Sequence, residues 1–231
     1  MILGTICCRA GSKGVISKNT KKLLDIPLIN YTIESAQKSK FLNDLLISTD
    51  DDLILEIANK NNILSLIRPE NLCTDTASKW PVFIHAVENF EKLTNKKVDY
   101  IVDMDVTVPL KTTQDIDNAI QLALDNPAAD VIITGYDPER NPYFNMMEIT
   151  ENGFAAIVKQ TPNPIVRRQD APKVYSLTPA AYVIKKSALY EFEHWAKAKC
   201  MISEMPRERS IDIDTEFDFK LIEFILNEKN K

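Results

Sequence analysis

Short apolar, β-rich runs alternate along this chain with longer stretches in which apolar residues recur every three or four positions. The runs 2–8, 45–49, 63–67, 100–104, 131–134 and 180–184 predict strands. The stretches 28–39, 52–61, 79–92, 113–125, 187–196 and 215–228 predict helices. In the first, Ile29, Ile33 and Ala36 share a face; in the last, Phe217, Leu221, Phe224 and Ile225 do. Strands alternating with helices imply βαβ units and an α/β fold with a largely parallel sheet. Ligands in such sheets bind at the carboxyl ends of the strands, where the loops gather.

The alternation breaks once. Residues 136–175 carry five of the twelve prolines: Pro138, Pro142, Pro162, Pro164 and Pro172. Two strand-like pieces, 146–149 and 154–159, flank Glu151-Asn152-Gly153, and Asn-Gly between strands signals a hairpin. The segment reads as a β-rich excursion from one domain spanning 1–231.

Composition removes several function classes. The net charge is −5 and no Lys/Arg run reaches five residues, which argues against nucleic acid and membrane surfaces. No apolar stretch approaches the roughly 20 residues of a bilayer helix. The start, MILGTICC, lacks a basic leader and a cleavage site. Cys7, Cys8, Cys73 and Cys200 show no C-x-x-C spacing, so the expectation is reduced, mostly buried thiols in a cytoplasmic protein.

An acidic protein that handles anions must cluster its cations. The first strand ends in Arg9-Ala10-Gly11-Ser12-Lys13-Gly14, with Lys18-Asn19 just beyond, spending two of only five glycines here. Such a loop can cradle phosphates through backbone N–H groups and cations, though it also reads as a basic turn. It is not a Walker A loop, because Ile16-Ser17-Lys18 stands where Gly-Lys-Ser/Thr is needed, and it lacks the dinucleotide G-x-G-x-x-G. Near the other end stands Ser210-Ile211-Asp212-Ile213-Asp214-Thr215. In an extended segment Asp212 and Asp214 face one side and the isoleucines the other. Two such carboxylates suit Mg²⁺ with substrate phosphates. The same residues also read as a helix start, with Asp214 or Thr215 as the cap.

Together these motifs resemble the acylneuraminate cytidylyltransferases, the CMP-sialic acid synthetases. Arg9-Ala10-Gly11-Ser12-Lys13-Gly14 matches that family's opening loop with alanine for one glycine. Lys18-Asn19, Leu24-Asp25-Ile26-Pro27-Leu28-Ile29, Ser48-Thr49-Asp50-Asp51, Arg68-Pro69-Glu70-Asn71-Leu72 and Thr74-Asp75 follow in order, and Asp212 and Asp214 match the terminal metal motif. The resemblance runs nearly end to end and implies a mostly parallel Rossmann-like nucleotidyltransferase sheet flanked by helices.

Two departures fall on the sugar side. Asp105 stands where the sialate branch has glutamine, and Asn145 where it has lysine. The sugar pocket would thereby lose a cation and gain an anion. The combination resembles the branch that makes CMP-legionaminate, whose sugar is a bacterial diamino relative of sialic acid.

The resemblance implies a site for every step of a CMP transfer from CTP to an acidic nine-carbon sugar. Arg9 and Lys13 would stabilise triphosphate charge. Ala10, Gly11, Ser12, Lys18, Asn19, Asp75 and Ser78 would hold the nucleotide, and Asp212 and Asp214 a Mg²⁺ ion. Asp105, Thr107, Tyr143, Asn145, Arg168, Gln169 and Tyr182 would face the sugar, with Arg168 on its carboxylate. The excursion would mediate a homodimer. His85 and His194, both in helical patterns, would be bystanders. Other readings keep the class but change the sugar to sialate, pseudaminate or an eight-carbon ulosonate. A reading from another class is a non-catalytic nucleotide-binding module or a glycosyltransferase using Asp103-Met104-Asp105 as its Asp-x-Asp motif.

Overall fold

The computed structural model describes residues 1–11, 14–74 and 77–229. In chain order the elements are β1 (Ile2–Cys7), β2 (Lys22–Leu23), β3 (Ile26–Pro27), α1 (Leu28–Gln37), β4 (Asp44–Thr49), α2 (Asp52–Lys60), β5 (Leu64–Ile67) and α3 (Lys79–Thr94). They continue with β6 (Tyr100–Asp103), α4 (Thr113–Asp125), β7 (Val131–Tyr136), β8 (Met147–Ile149), β9 (Ala155–Ile157), β10 (Ser176–Lys185), α5 (Lys186–Glu191), β11 (Cys200–Glu204) and α6 (Glu216–Lys229).

Seven strands form one sheet in the order β11-β7-β10-β6-β1-β4-β5. Only β10 runs antiparallel to its neighbours, so the sheet is mostly parallel, as the pattern implied. Period-2 alternation sorts β1 onto two faces. Leu3 and Cys7 pack with Trp80, Phe83, Val87 and Phe90 of α3 and with Leu189 of α5. Ile6 points the other way, into a cluster with Ile29 and Ile33 of α1, Ile54 of α2 and Phe219 and Ile222 of α6. Beside that cluster, α4 covers Val102 and Val183 through Ile116 and Ile120. These aliphatic side chains are 0–4% exposed. Each contributes about 1.5–3 kcal/mol of burial, which holds the strand ends rigid beneath the loops.

Three local expectations are corrected, and two elements left no signal in the sequence. The helix expected over 187–196 ends at Glu191, and a 3₁₀ turn at Trp195–Lys197 leads into β11. That edge strand alternates too weakly to be read from sequence. The β2–β3 hairpin was equally silent, because its turn puts Leu24 and Asp25 at φ 49° and 65° without glycine. The strand expected over 180–184 is the longer β10, with a register shift between Leu177 and Tyr182. In α6 the buried face carries Phe219 and Ile222, while Phe217 and Phe224 are exposed. Buried Ile213 and the cap at Thr215 fix how the helix enters, and so which stripe turns inward.

The excursion joins β7 to β10. Its hairpin forms as read, with Met147–Ile149 paired to Ala155–Ile157 and Gly153 at φ 80°, and it stays outside the main sheet. No described helix is long and apolar enough to cross a membrane.

Candidate active site

The loop after β1 is tied down by its own residues. Asn19 is buried and its amide donates to the Arg9 carbonyl (2.9 Å); the Ala10 N–H donates to Asp50 Oδ1 (2.7 Å). Arg9 Nη1 donates to the Cys73 carbonyl (3.3 Å) from the far side of the cleft. Gly11 takes φ 76°, a conformation that favours glycine. Gly14 is required for another reason: a Cβ there would run into the Asp214 carbonyl oxygen. Lys18 completes the junction. It donates to the Ile213 carbonyl, and its ammonium lies 3.8 Å from the Asp214 carboxylate. The two ends of the chain that the motifs paired are thus in contact. Ser12, Lys13 and Asp75 lie outside the described residues.

A cleft of about 330 Å³ opens here at the carboxyl ends of the strands. Arg9, Lys18, Arg68 and Lys79 supply its cations; Asn19, Thr74 and Thr107 supply polar groups. Arg68, which sequence reasoning placed only in a signature, is buried and anchored by Nη2 to the Ser48 carbonyl (2.8 Å). Cys7 and Cys8 also line the cleft, but burial raises both thiol pKa values, that of Cys8 to about 12. They are inert walls, not nucleophiles.

A second cleft, about 490 Å³, adjoins the first and is largely aromatic: Trp80, Phe83, Tyr182 and Trp195, with Ser78, Pro179 and His194. His194, expected in a helix, lies outside one. It is extended, and its Nδ1 accepts the Ala196 N–H (3.2 Å) at the cleft wall. The two clefts share Lys79 and Asp105.

Lys79 opens α3, and nothing in its sequence position separated it from a surface helix residue. Its ammonium donates to Asp105 Oδ2 (2.6 Å) and Asp103 Oδ2 (3.1 Å). The other oxygens are also used: Thr5 donates to Asp103 Oδ1, and the Thr107 N–H and hydroxyl donate to Asp105 Oδ1. Burial opposes the Asp105 charge, but Lys79 outweighs it and holds the carboxyl at about 2. Burial likewise opposes the Lys79 charge, and the two aspartates raise its pKa well above the ordinary value. The Lys79 side chain stays 43% exposed, so this pairing rests on contact geometry more than on burial. Asp105 therefore arrives with its own counter-charge, and the net anion expected in the sugar pocket is not there. Asp103 and Asp105 are both engaged by Lys79, which leaves the Asp-x-Asp reading without support. Beneath them Lys111 is fully enclosed and donates to Thr32 Oγ1 (2.7 Å) and to the carbonyls of Asp105 (2.6 Å) and Val108 (3.0 Å), pinning the loop that carries Asp105 and Thr107.

The acidic motif alternates only in part, with Ile211 and Asp212 both half-buried. Ile213 is buried and its N–H donates to the Thr107 carbonyl (2.8 Å); Asp214 is 78% exposed. The helix cap belongs to Thr215, whose N–H and hydroxyl both reach Asp218 (2.8 and 2.7 Å). Neither motif aspartate is spent on capping. Asp212 Oδ1 is buried with no hydrogen-bond partner among the described residues, and burial with the nearby Asp105 and Asp214 charges raises its pKa. An orphaned carboxylate oxygen two residues from the exposed Asp214 carboxylate fits a divalent cation. Among the described residues no three His, Cys, Asp or Glu side chains are grouped to hold a metal ion.

The cytidylyltransferase family model matches residues 3–229. This chain belongs to the cytidylyltransferase family. It is 35% identical over 230 residues to the Campylobacter coli post-translational flagellin modification protein B, covering 99% of this chain and 96% of that protein. It has the same identity and coverage with the Campylobacter jejuni CMP-N,N'-diacetyllegionaminic acid synthase. A solved CMP:2-keto-3-deoxy-manno-octonic acid synthetase complexed with CTP shares the fold, with TM-score 0.70, 16% identity and 99% coverage of both chains. The protein is a nucleotidyltransferase.

The cytidylyltransferase brings Arg9, Lys18, Asn19, Asp105 and Thr107 to one cleft, and Ser78, Asp105 and Tyr182 to the other. The remaining sugar-side candidates lie apart. Arg168 and Gln169 line a separate cleft of about 440 Å³ with Asp137 and Pro172, and Arg168 donates to the Pro138 carbonyl (2.7 Å). Asn145 accepts the Asn141 N–H (2.7 Å), and the Tyr143 ring sits under Lys159. Within one chain, then, the excursion does not deliver these groups to the strand-end clefts.

Proposed function

We propose that this cytidylyltransferase transfers CMP from CTP to the anomeric hydroxyl of a nonulosonic acid, a legionaminate-type sugar above others, and releases pyrophosphate. The observation that carries the reading is the shared wall. A cationic, phosphate-sized cleft and an aromatic, sugar-sized cleft meet at Lys79 and Asp105, where an attacking hydroxyl and an α-phosphorus would face each other.

In this reading Arg9 and Lys13 neutralise charge on the triphosphate, and Lys18 and Asn19 hold the loop around it. Rate comes from positioning and charge stabilisation rather than from a covalent intermediate. Asp212 and Asp214 hold Mg²⁺. When bound, the ion supplies charge neutralisation and lowers the pKa of the attacking hydroxyl. The aromatic wall of Trp80, Phe83 and Trp195 suits the methyls of acylamino groups and of a deoxygenated sugar terminus. That supports a legionaminate-type substrate, as does the identity to the diacetyllegionaminic acid synthase.

The excursion forms the interface of a homodimer and carries Arg168 and Gln169 to the partner's sugar cleft. Its exposed apolar side chains support this: Ile149 and Phe154 are 75% exposed and Val166 82%. A CTP-consuming enzyme with four free cysteines works in the cytoplasm. Pyrophosphate release with CTP, Mg²⁺ and a panel of nonulosonates tests the reading. Diacetyllegionaminate should exceed N-acetylneuraminate in kcat/KM; the opposite order would remove the sugar assignment, and no release with any acidic sugar would remove the reading itself.

A further inference from the structure

Resting on the functional reading above, the geometry points to Lys79 as the residue that binds the carboxylate of the acceptor sugar. In a 2-ulosonic acid the carboxylate and the attacking hydroxyl are carried by the same anomeric carbon. Wherever the hydroxyl meets the α-phosphorus, the carboxylate must be within one or two bonds of that point. The reacting centre lies between the nucleotide and the sugar, so the carboxylate lies at the boundary of the two clefts. Lys79 and Asp105 are the side chains common to both linings, and only Lys79 is a cation.

Lys79 is built to receive an anion. Two of its three ammonium protons go to Asp103 and Asp105, and no third acceptor is in reach among the described residues. Those two bonds aim the group and, among the described residues, leave one proton for a ligand. The side chain is 43% exposed, so the ligand can reach it. Lys79 is also the first residue of a 16-residue helix, whose N-terminus adds partial positive charge. The aspartates do not repel the newcomer outright, because the Lys79 ammonium holds both carboxylates and the Thr107 N–H and hydroxyl hold Asp105 Oδ1. A substrate carboxylate placed near the phosphates needs such a local cation. Arg168, the alternative, donates into the excursion and lines neither cleft within the chain.

The test compares diacetyllegionaminate with its C1 methyl ester, which keeps the hydroxyl and removes the charge. In wild type the acid should exceed the ester about 100-fold in kcat/KM, the scale of a hydrogen bond to a charged group. In Lys79→Met that ratio should collapse to within about threefold, with KM for CTP little changed, and Lys79→Arg should restore part of it. Because Lys79→Met strands the buried Asp103, the charge-balanced double variant Lys79→Met/Asp103→Asn is run beside it and should show the same collapse. A ratio that survives in both, or one that collapses instead in Arg168→Met, overturns the assignment. So does a rise in KM for CTP with the acid–ester ratio unchanged. No turnover of the acid by wild type would overturn the functional reading and this inference with it.

Discussion

At the carboxyl edge of the sheet, Lys79 bonds Asp103 at the end of β6 and Asp105 just beyond it, and Lys111 pins the Asp105 backbone from below. In the excursion between β7 and β10, Ile149, Phe154 and Val166 stand 75–82% exposed, and Arg168 turns to a backbone carbonyl of its own segment. The first region is built within one chain, and the Asp212 oxygen excepted, its buried charges have partners there. The second has exposed apolar surface, and its Arg168 and Gln169 line a cleft apart from the two at the strand ends. The difference teaches where activity should be sensitive to single atoms and where it should be sensitive to assembly.

The largest effect should come from the nucleotide side. Lys13→Ala should lower kcat at least about 100-fold at saturating CTP, the scale of a lost charge-stabilising contact, with thermal melting unchanged. Near-normal turnover would break the phosphate role of the loop. Next, Asp212→Asn should cost roughly tenfold or more in activity and shift the Mg²⁺ dependence to higher concentration. Its melting temperature should hold or rise, since the buried orphan oxygen loses its charge. A stability loss with full activity per folded molecule would show that the motif is structural.

The excursion should respond differently. Removing the hairpin tip at Asn152-Gly153 should shift the sedimenting mass from dimer to monomer. The sugar KM should rise by about tenfold while the CTP KM holds, matching one lost charge-assisted contact. A wild-type protein that sediments as a monomer at micromolar concentration would end the comparison as drawn.

The smallest effect concerns Lys111. Burial pulls its folded-state pKa from 10.5 to about 7. Between those values the unfolded chain keeps a proton that the folded chain has released, so stability rises with pH from about 7 toward 10.5; below 7 both states are protonated and the contribution is flat. Urea unfolding of wild type and Lys111→Met across pH 7–10 should differ in slope, the variant lacking this rise. Equal slopes would mean that Lys111 stays charged throughout.

Much of this was legible in the sequence, and the reasons are local. The strands under the site announce themselves through Leu3, Ile6, Ile47 and Ile101, because period-2 burial on two faces leaves a strong signal. The contact between the phosphate loop and the acidic motif was foreshadowed by Gly14 and Asp214, whose residue types suit close approach and cation binding. Lys79 was not legible, because its meaning comes from Asp103 and Asp105 across the sheet, 24 and 26 positions away. Nor was the α6 stripe, where two apolar faces compete and a cap at Thr215 decides between them.

In the proposed reaction the two clefts join one nucleotide to one unphosphorylated sugar acid. The mass of the product tests it most directly. Wild type with CTP, Mg²⁺ and diacetyllegionaminate should yield a species of sugar plus CMP, with one pyrophosphate for each molecule formed. A product carrying CDP, formed only from a sugar phosphate, or CTP left intact beside every nonulosonate, would contradict the account.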